Sequence, residues 1–215
     1  MTAQATIIDA GVGNLGNLRR ALQHVGAECR ITVDPEEVRQ SRCLLLPGVG
    51  AFKPPRERLR GGLEDALQEA LKEGAWLLGI CIGYQLLFAS SDEFGDTDGL
   101  GLLPGTVSHL PEGVSLPHIG WNQLLRSPNA DNGGLGHLLN GVDEGSHVYF
   151  VHSYAPMDVP EEVRLADARH GARFTAVAGQ GRVLGTQFHP EKSGRTGLKI
   201  LSNYLELAHA NHSGD

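Results

Sequence analysis

The segment Leu77-Leu-Gly79-Ile-Cys81-Ile-Gly83-Tyr-Gln85 runs from an apolar stretch through a G-x-C-x-G turn into residues of helical character. That is the cysteine form of a nucleophile elbow, a sharp strand-to-helix turn that holds the nucleophile in a strained conformation. Glycines two residues either side let strand and helix approach without Cβ contacts. A thiol at a helix N-terminus is favoured as thiolate by free N–H groups and the dipole. A small buried cysteine in a glycine-containing turn fits the same segment equally well, so the question passes to whether a base is present. Thr186-Gln-Phe-His189-Pro-Glu191-Lys supplies one. His189 and Glu191 are two apart at an expected strand end, where alternation puts both side chains on one face, and Pro190 falls where ladder pairing stops. His189 would carry the proton while Glu191 fixes its tautomer. With ten histidines in the chain, a chance His-x-Glu is cheap, and a solvated or structural pair stays open. His24 and His137 have no nearby acid, and His209 and His212 lie in the polar tail. A third segment, Leu46-Pro47-Gly48-Val49-Gly50-Ala51-Phe52, follows an apolar run. Its glycines would let backbone N–H groups face a developing oxyanion, although an ordinary Gly-Pro turn reads the same way. Gly11, Gly13 and Gly16 match G-x-G-x-x-G after a strand. No acid closes a second strand about 20 residues on, because Asp34 sits in a turn before Pro35, so a dinucleotide site is disfavoured.

Positioning these groups requires strands that end where they begin. Short apolar runs over Thr6–Ala10, Cys29–Val33, Cys43–Leu46 (stopped by Pro47) and Trp76–Ile80 alternate with helical patterns. The helices fall over Leu18–Val25, over Arg58–Glu73 with Leu59, Leu63, Leu67, Ala70 and Leu71 on one face, and over Gln85–Ala89. That rhythm predicts a mainly parallel sheet with helices on both faces. After Ser90 come strand candidates over Val107–Leu110, Leu116–Leu125, Val148–Tyr154, Arg164–Ala168, Phe174–Ala178 and Val183–Phe188, partly antiparallel. Asn129–Gly145 reads as a long loop around a short helix, and Thr196–Ala208 as the last helix.

The 215 residues suggest one domain at about 150 residues each, and a chain of this size needs no metal or disulfide staple. A formal charge of −7 disfavours broad binding to nucleic acid or anionic membrane. No apolar run approaches the roughly 18 residues of a spanning helix, and no secretory signal opens the chain. Cys29, Cys43 and Cys81 show no CxxC spacing, which disfavours a metal site and suits reduced thiols in a cytoplasmic protein. Glycine, at 29 residues, is roughly twice its usual share of about 7%.

Pro47–Phe52, Gly79–Gln85 and Gln187–Ser193 occur in the order and spacing of the class I (triad) glutamine amidotransferases, which the chain resembles over about residues 6 to 205. Pro117-His-Ile-Gly-Trp121-Asn122 and Tyr149-Phe-Val-His152-Ser-Tyr154 are similar to segments of the glutaminase subunits of imidazole glycerol phosphate synthases. The resemblance implies an α/β, three-layer fold: a mostly parallel central sheet flanked by helices, with additional antiparallel strands in the C-terminal half. One amidotransferase domain would span residues 1–215. Cys81 would attack the side-chain amide of L-glutamine to give a γ-glutamyl thioester; His189 would protonate departing ammonia and then activate water, oriented by Glu191. Gly48, Val49 and Gly50 would supply the oxyanion N–H, after a peptide flip if needed. Gln85 and the backbone near Ser153 and Tyr154 would hold glutamine, with no cofactor and no metal. Ammonia would pass to a (β/α)8-barrel cyclase in a heterodimer, forming imidazole glycerol phosphate and an aminoimidazole carboxamide ribotide in histidine biosynthesis. Asn14, Asn17, Trp121 and Lys192 would face that partner, although Trp121 suits the core as well as an interface anchor. Ala10 and Val12 lie in a turn where the family varies, and Tyr84 stands where Met or His is more usual. The competing expectations are a glutaminase for anthranilate or GMP synthesis, a cysteine peptidase on a related sheet, and a catalytically silent partner-binding module.

Overall fold

The apolar segments of the N-terminal half become parallel strands, because strands covered by helices on both faces bury side chains of either direction. In the computed structural model, which describes residues 3–128, 130 and 132–210, β1 (Ala3–Ile8) leads through α1 (Leu15–His24) to β2 (Ala27–Thr32). Helix α2 (Pro35–Arg39) leads to β3 (Cys43–Gly48). Helices α3 (Lys53–Leu59) and α4 (Gly62–Lys72) connect to β4 (Trp76–Cys81), and α5 (Ile82–Gln85) follows at once. Every residue of β3 and β4 is buried.

The second half contributes β5 (Ser90–Ser91), β6 (Thr97–Asp98), β7 (Val107–His109), β8 (His118–Gln123) and β9 (Leu125–Arg126). It continues through β10 (His147–His152), β11 (Tyr154–Pro156), β12 (Arg164–His170), β13 (Ala172–Gln180), β14 (Val183–Thr186) and α6 (Gly194–His209). The main sheet has the order β2-β1-β3-β4-β14-β13-β12-β9. Strands β2 to β14 in that order run parallel, and the last three are antiparallel additions. Two smaller sheets, β10-β8 and β11-β7-β5-β6, lie beside it. Helix α1 packs on α6, whereas α2 and α3 pack on α4, giving the expected three-layer arrangement. The Tyr204 hydroxyl donates to the Leu44 and Trp76 carbonyls at 2.6 and 3.0 Å, pinning α6 to the sheet. Strand order reverses direction at β1/β3, so the crevice past the C-terminal ends of the neighbouring strands is where such a sheet binds ligands.

Several local expectations change. Strand β3 runs through Pro47 to Gly48 rather than stopping, because its pairing with β1 ends at Leu45 while Pro47 stays in register with Ile80 of β4. Only the ladder with β1 would have needed the missing N–H. The expected helix over Arg58–Glu73 is two helices, broken where Gly61 adopts φ +83°. Pro54 and Pro55 open the first of them, at positions whose N–H groups have no helical acceptor. The elbow helix occupies Ile82–Gln85 rather than Gln85–Ala89. Strand breaks at Leu124 and Ser153 split two expected strands into β8 and β9 and into β10 and β11. Short 3-10 turns within Asn132–Leu139, interrupted by a kink at Gly133 and Gly134, occupy the long loop; Asn129 and Asp131 of that loop, and His212 of the tail, lie outside the described residues.

Candidate active site

Cys81 ends β4 with φ +56° and ψ −111°, the strained backbone an elbow demands, and is 2% exposed. The flanking glycines are steric necessities. A Cβ on Gly83 would stand 1.7 Å from the Leu46 carbonyl oxygen of β3, and one on Gly79 would stand 2.7 Å from the Gly83 oxygen. The Cys81 sulfur lies 3.9 Å from the Val151 carbonyl oxygen and 4.0 Å from Gln187 Nε2. Helix α5, which Cys81 precedes, has only four residues. Tyr84, the departure from the family pattern, is fully buried, edge-on to Phe88 and so close to Gly185 that no side chain fits there.

His189 follows β14, the strand beside β4. It is not on a strand with Glu191: Pro190–Lys192 form a 3-10 turn capped by His189, and the turn, not alternation, folds the carboxylate back. Glu191 Oε1 stands 2.8 Å from His189 Nδ1, with side chains 5% and 2% exposed. Nε2 of His189 is buried and closes no hydrogen bond of ordinary length, yet it lies within reach of the Cys81 charge. Burial pulls the imidazole pKa down, but the Cys81 charge, contact with that sulfur and the Glu191 hydrogen bond together push it up to about 10. A cationic imidazole between a thiolate and a carboxylate is the arrangement a cysteine nucleophile needs. Among the described residues Glu191 Oε2 is buried without a partner, and Glu191 lines a cleft shared with Asn17, Arg20 and His24 of α1.

Gly48 pairs in register with Cys81, which sets the Gly48-Val49-Gly50 turn beside the nucleophile. Beyond it a cleft with about 210 Å³ of free space is lined by Gly50, Ile82, Gln85, Glu93, Val151, His152, Ser153 and Tyr154. Gln85 Nε2 donates to the Tyr154 carbonyl at 2.8 Å and to Gln187 Oε1 at 3.1 Å, leaving its buried Oε1 without a partner among the described residues. Glu93, absent from the sequence expectations, accepts from the Phe52 N–H at 2.6 Å, and burial raises its carboxyl pKa above the usual range. A larger cleft of about 780 Å³, lined by Gln4, Arg30, Arg42 and His209 among others, lies far from any of this chemistry. Size therefore does not mark the site.

The family model for class-I glutamine amidotransferases matches residues 6–207. The chain belongs to this family. It is 44% identical over 210 residues to the imidazole glycerol phosphate synthase subunit HisH of Moorella thermoacetica, covering 97% of each chain. It is 47% identical to the HisH subunit of a Geobacillus species, over 94% of this chain and 95% of that one. A solved glutamine amidotransferase matches the fold with a TM-score of 0.73 at 23% identity, over 96% of this chain and 98% of the other. Among class-I glutamine amidotransferases, the chain therefore stands with the HisH subunits.

In this HisH-type amidotransferase the residues expected at a partner face are divided between two surfaces that meet at the Pro190–Lys192 turn. Trp121 is 55% exposed on β8, so it is not core. It pairs across to Tyr149, edge-on at 6.3 Å, and Lys192 Nζ sits 5.7 Å over the same Tyr149 ring. Asn14 caps α1, accepting from the Asn17 N–H at 3.1 Å; Asn17 in turn lines the cleft at Glu191. Asp34 caps α2 through the Glu36 N–H, which accounts for its place before Pro35. Gln187 and Glu93 were missed because each is a single polar residue whose partners lie far along the chain; the only local signals were a glutamine in an apolar strand and an acid in a turn.

Proposed function

We propose that the chain, acting as one amidotransferase domain, is the glutaminase subunit of imidazole glycerol phosphate synthase and that Cys81, His189 and Glu191 carry its chemistry. The Cys81 thiolate attacks the glutamine carboxamide carbon, and the negative oxygen so formed is met by backbone N–H of Gly48-Val49-Gly50. As the C–N bond breaks, the His189 cation gives its proton to the nitrogen, which leaves as ammonia. Neutral His189 then takes a proton from water; the resulting hydroxide attacks the γ-glutamyl thioester, and glutamate leaves as the C–S bond breaks. That proton returns the imidazole to its cationic state beside the restored thiolate, and Glu191 holds the ring throughout. Unpartnered Gln85 Oε1 and the Glu93 carboxylate accept from the substrate α-ammonium, while backbone at Ser153 and Tyr154 meets its carboxylate. Ammonia passes to a (β/α)8-barrel cyclase, in keeping with the synthase named for the HisH relatives. The exposed Trp121, with Lys192 and the α1 start at Asn14 and Asn17, forms the docking face. Among the described residues no helix is long and apolar enough to cross a membrane.

The strained Cys81 beside the buried His189–Glu191 pair, at the C-terminal ends of adjacent parallel strands, supports this reading most directly. The test is glutamate release from glutamine by the purified chain, alone and with a barrel cyclase. Activity that rises on adding the cyclase, a 1:1 complex on co-purification, and no activity for Cys81→Ala are expected. Full activity of Cys81→Ala would overturn the mechanism, and failure to bind any barrel cyclase would overturn the partner.

A further inference from the structure

Two buried histidines outside the triad form a hydrogen-bonded chain whose direction can be worked out from either end. His152 Nδ1 lies 2.9 Å from the Tyr154 carbonyl oxygen. A carbonyl only accepts, so Nδ1 carries the proton; in a neutral ring Nε2 is then an acceptor. His118 Nδ1 stands 3.0 Å from that Nε2 and must donate to it, which leaves His118 Nε2 as an acceptor. The fourth member agrees independently. Asn122 Oδ1 accepts from the Gln123 N–H at 2.8 Å, and Nδ2 donates to the Arg169 carbonyl at 2.8 Å. Those two bonds orient the amide, so Nδ2 is the atom 3.2 Å from His118 Nε2, a donor meeting an acceptor.

Both rings are neutral. Burial pulls His118 down to about 4, helped by His170, and His152 down to about 3, helped by His118, His170 and His189 and opposed by the Tyr154 contact. His118 is further held between the Phe150 ring at 4.9 Å and the His170 ring at 4.1 Å, both nearly parallel to it. The chain ends on a functional group. The Tyr154 carbonyl that accepts from His152 also accepts from Gln85 Nε2 at 2.8 Å, which aims Gln85 Oε1 away from it, unpartnered.

We infer that His118 and His152 are positioning residues for the substrate cleft: fixed in their Nδ1–H forms, they carry an oriented hydrogen-bond chain from Asn122, next to exposed Trp121, to the Tyr154 carbonyl and so hold the Gln85 carboxamide in its binding orientation. The purpose, though not the chain, rests on the glutamine cleft proposed above. Neither ring touches the reacting atoms. The chain begins one residue from the docking tryptophan and ends at the cleft wall, so the orientation of β8 is conveyed to Gln85 without passing through the triad.

Nitrogen-15 NMR of the full chain at neutral pH tests the chain itself: both rings should appear as Nδ1–H tautomers, the minor form of free histidine. An Nε2–H or doubly protonated ring at either position overturns it. Kinetics test the purpose. Inactivation by a glutamine analogue bearing a diazoketone needs both cleft and thiol, whereas iodoacetamide needs only the thiol. His118→Phe keeps the stacked ring and removes both hydrogen bonds. It should slow the analogue about 3- to 10-fold, the value of roughly one net hydrogen bond, through weaker binding and not a slower maximal rate. Iodoacetamide should be unaffected. His118→Asn, which restores a donor at the Nδ1 position, should recover most of the loss. Equal slowing with both reagents, or no recovery in His118→Asn, overturns the positioning role. An unaltered protein that reacts with iodoacetamide but shows no preference for the analogue overturns the glutamine cleft instead.

Discussion

Replacing Gly83 by alanine adds one methyl group at a place where the backbone leaves no room for it. The new Cβ would lie 1.7 Å from the Leu46 carbonyl oxygen and 2.6 Å from its carbon. Cβ contacts below 3.0 Å are essentially unknown, so the elbow and β3 must separate by at least 3.0 − 1.7 = 1.3 Å. The obstacle is main chain on both sides, with no flexible side chain to swing away. Leu46 is paired with Gly79, two residues before the nucleophile, so the shift is delivered to Cys81 almost undiminished. A displacement of about 1 Å at reacting groups costs on the order of 100-fold in rate. Overpacking of this kind costs about 1–3 kcal/mol, or roughly 2–12 °C in Tm for a chain of this size. Gly16→Ala is the control: its Cβ would meet only Arg20 Nη1 at 4.0 Å, inside helix α1. Alanine there should hold or raise Tm, by up to about 1 kcal/mol of helix propensity. Glutamate release and thermal unfolding of both variants are the assays. A Gly83→Ala protein with full kcat/KM, or a Gly16→Ala protein damaged as badly, would refute the steric account of the elbow.

Four further outcomes are expected. Glu191→Gln removes a charged hydrogen bond to a buried imidazole, worth about 1.5–3 kcal/mol; kcat/KM should fall about 10- to 150-fold, and a change under twofold would sink the role given to Glu191. In Cys81→Ala the leading cause holding His189 up near 10 is gone while burial remains, so an NMR titration should find its pKa lower; an unmoved value contradicts the thiolate–imidazolium pairing. Glu93→Gln should raise KM for glutamine about 10-fold or more with a smaller effect on kcat, since it removes a buried charge facing the α-ammonium; steady-state kinetics showing an unchanged KM would remove Glu93 from the site. His118 and His152 are depressed in the folded chain to about 4 and 3 but titrate near 6.5 once unfolded, so the unfolded state binds more protons below pH 6.5 and stability must fall there with falling pH. At pH 5 the loss is 1.5 pH units at about 1.36 kcal/mol, roughly 2 kcal/mol per histidine; denaturant unfolding of His118→Phe should show a shallower acid dependence, and an identical one would contradict the neutral rings.

The elbow could be read from the sequence in part because Gly79 answers to a contact inside a seven-residue segment, where a Cβ would stand 2.7 Å from the Gly83 oxygen; the 1.7 Å obstacle at Gly83 comes instead from Leu46 of β3, far along the chain. His189 and Glu191 were found by their spacing, but the geometry comes from a 3-10 turn, since either route brings residues two apart together. Apolar periodicity ran straight across Gly61, because Leu59 and Leu63 keep their four-residue spacing while the backbone between them turns over at φ +83°. Pro47 misled for the opposite reason: a local rule applied where the partner strand had already ended. What stayed hidden is nonlocal. Glu93 meets Phe52 across 41 residues, Gln85 meets Gln187 across 102, and His118 meets His152 across 34. No window along the chain contains those pairs, and each polar side chain alone carries no local signal of its partner.

The division of labour between the sheets explains why a docking partner need not touch the triad. Cys81 and the Gly48 turn end strands inside the eight-stranded sheet, each braced by neighbours on both sides, and His189 follows the next strand over. The cleft wall is different. Among the described residues, strands β8 and β10 pair only with each other, and a two-stranded ribbon is the least stable form of sheet. Along it Ile119, Trp121, Tyr149 and Val151 form the more exposed row, while His118, Phe150 and His152 point inward. The ribbon thus carries the exposed Trp121 on one face and the histidine chain to Gln85 on the other, and its Val151 carbonyl lies 3.9 Å from the nucleophile. Displacing a ribbon costs less than distorting a braced parallel strand. A body pressing on Trp121 therefore moves the cleft wall and the cover over the thiol while the thiolate–imidazolium pair keeps its geometry. Stimulation by the partner should then appear in substrate positioning and access, with a small, pocket-blind alkylating agent reaching Cys81 faster in the complex while the NMR signature of the His189 imidazolium stays unchanged.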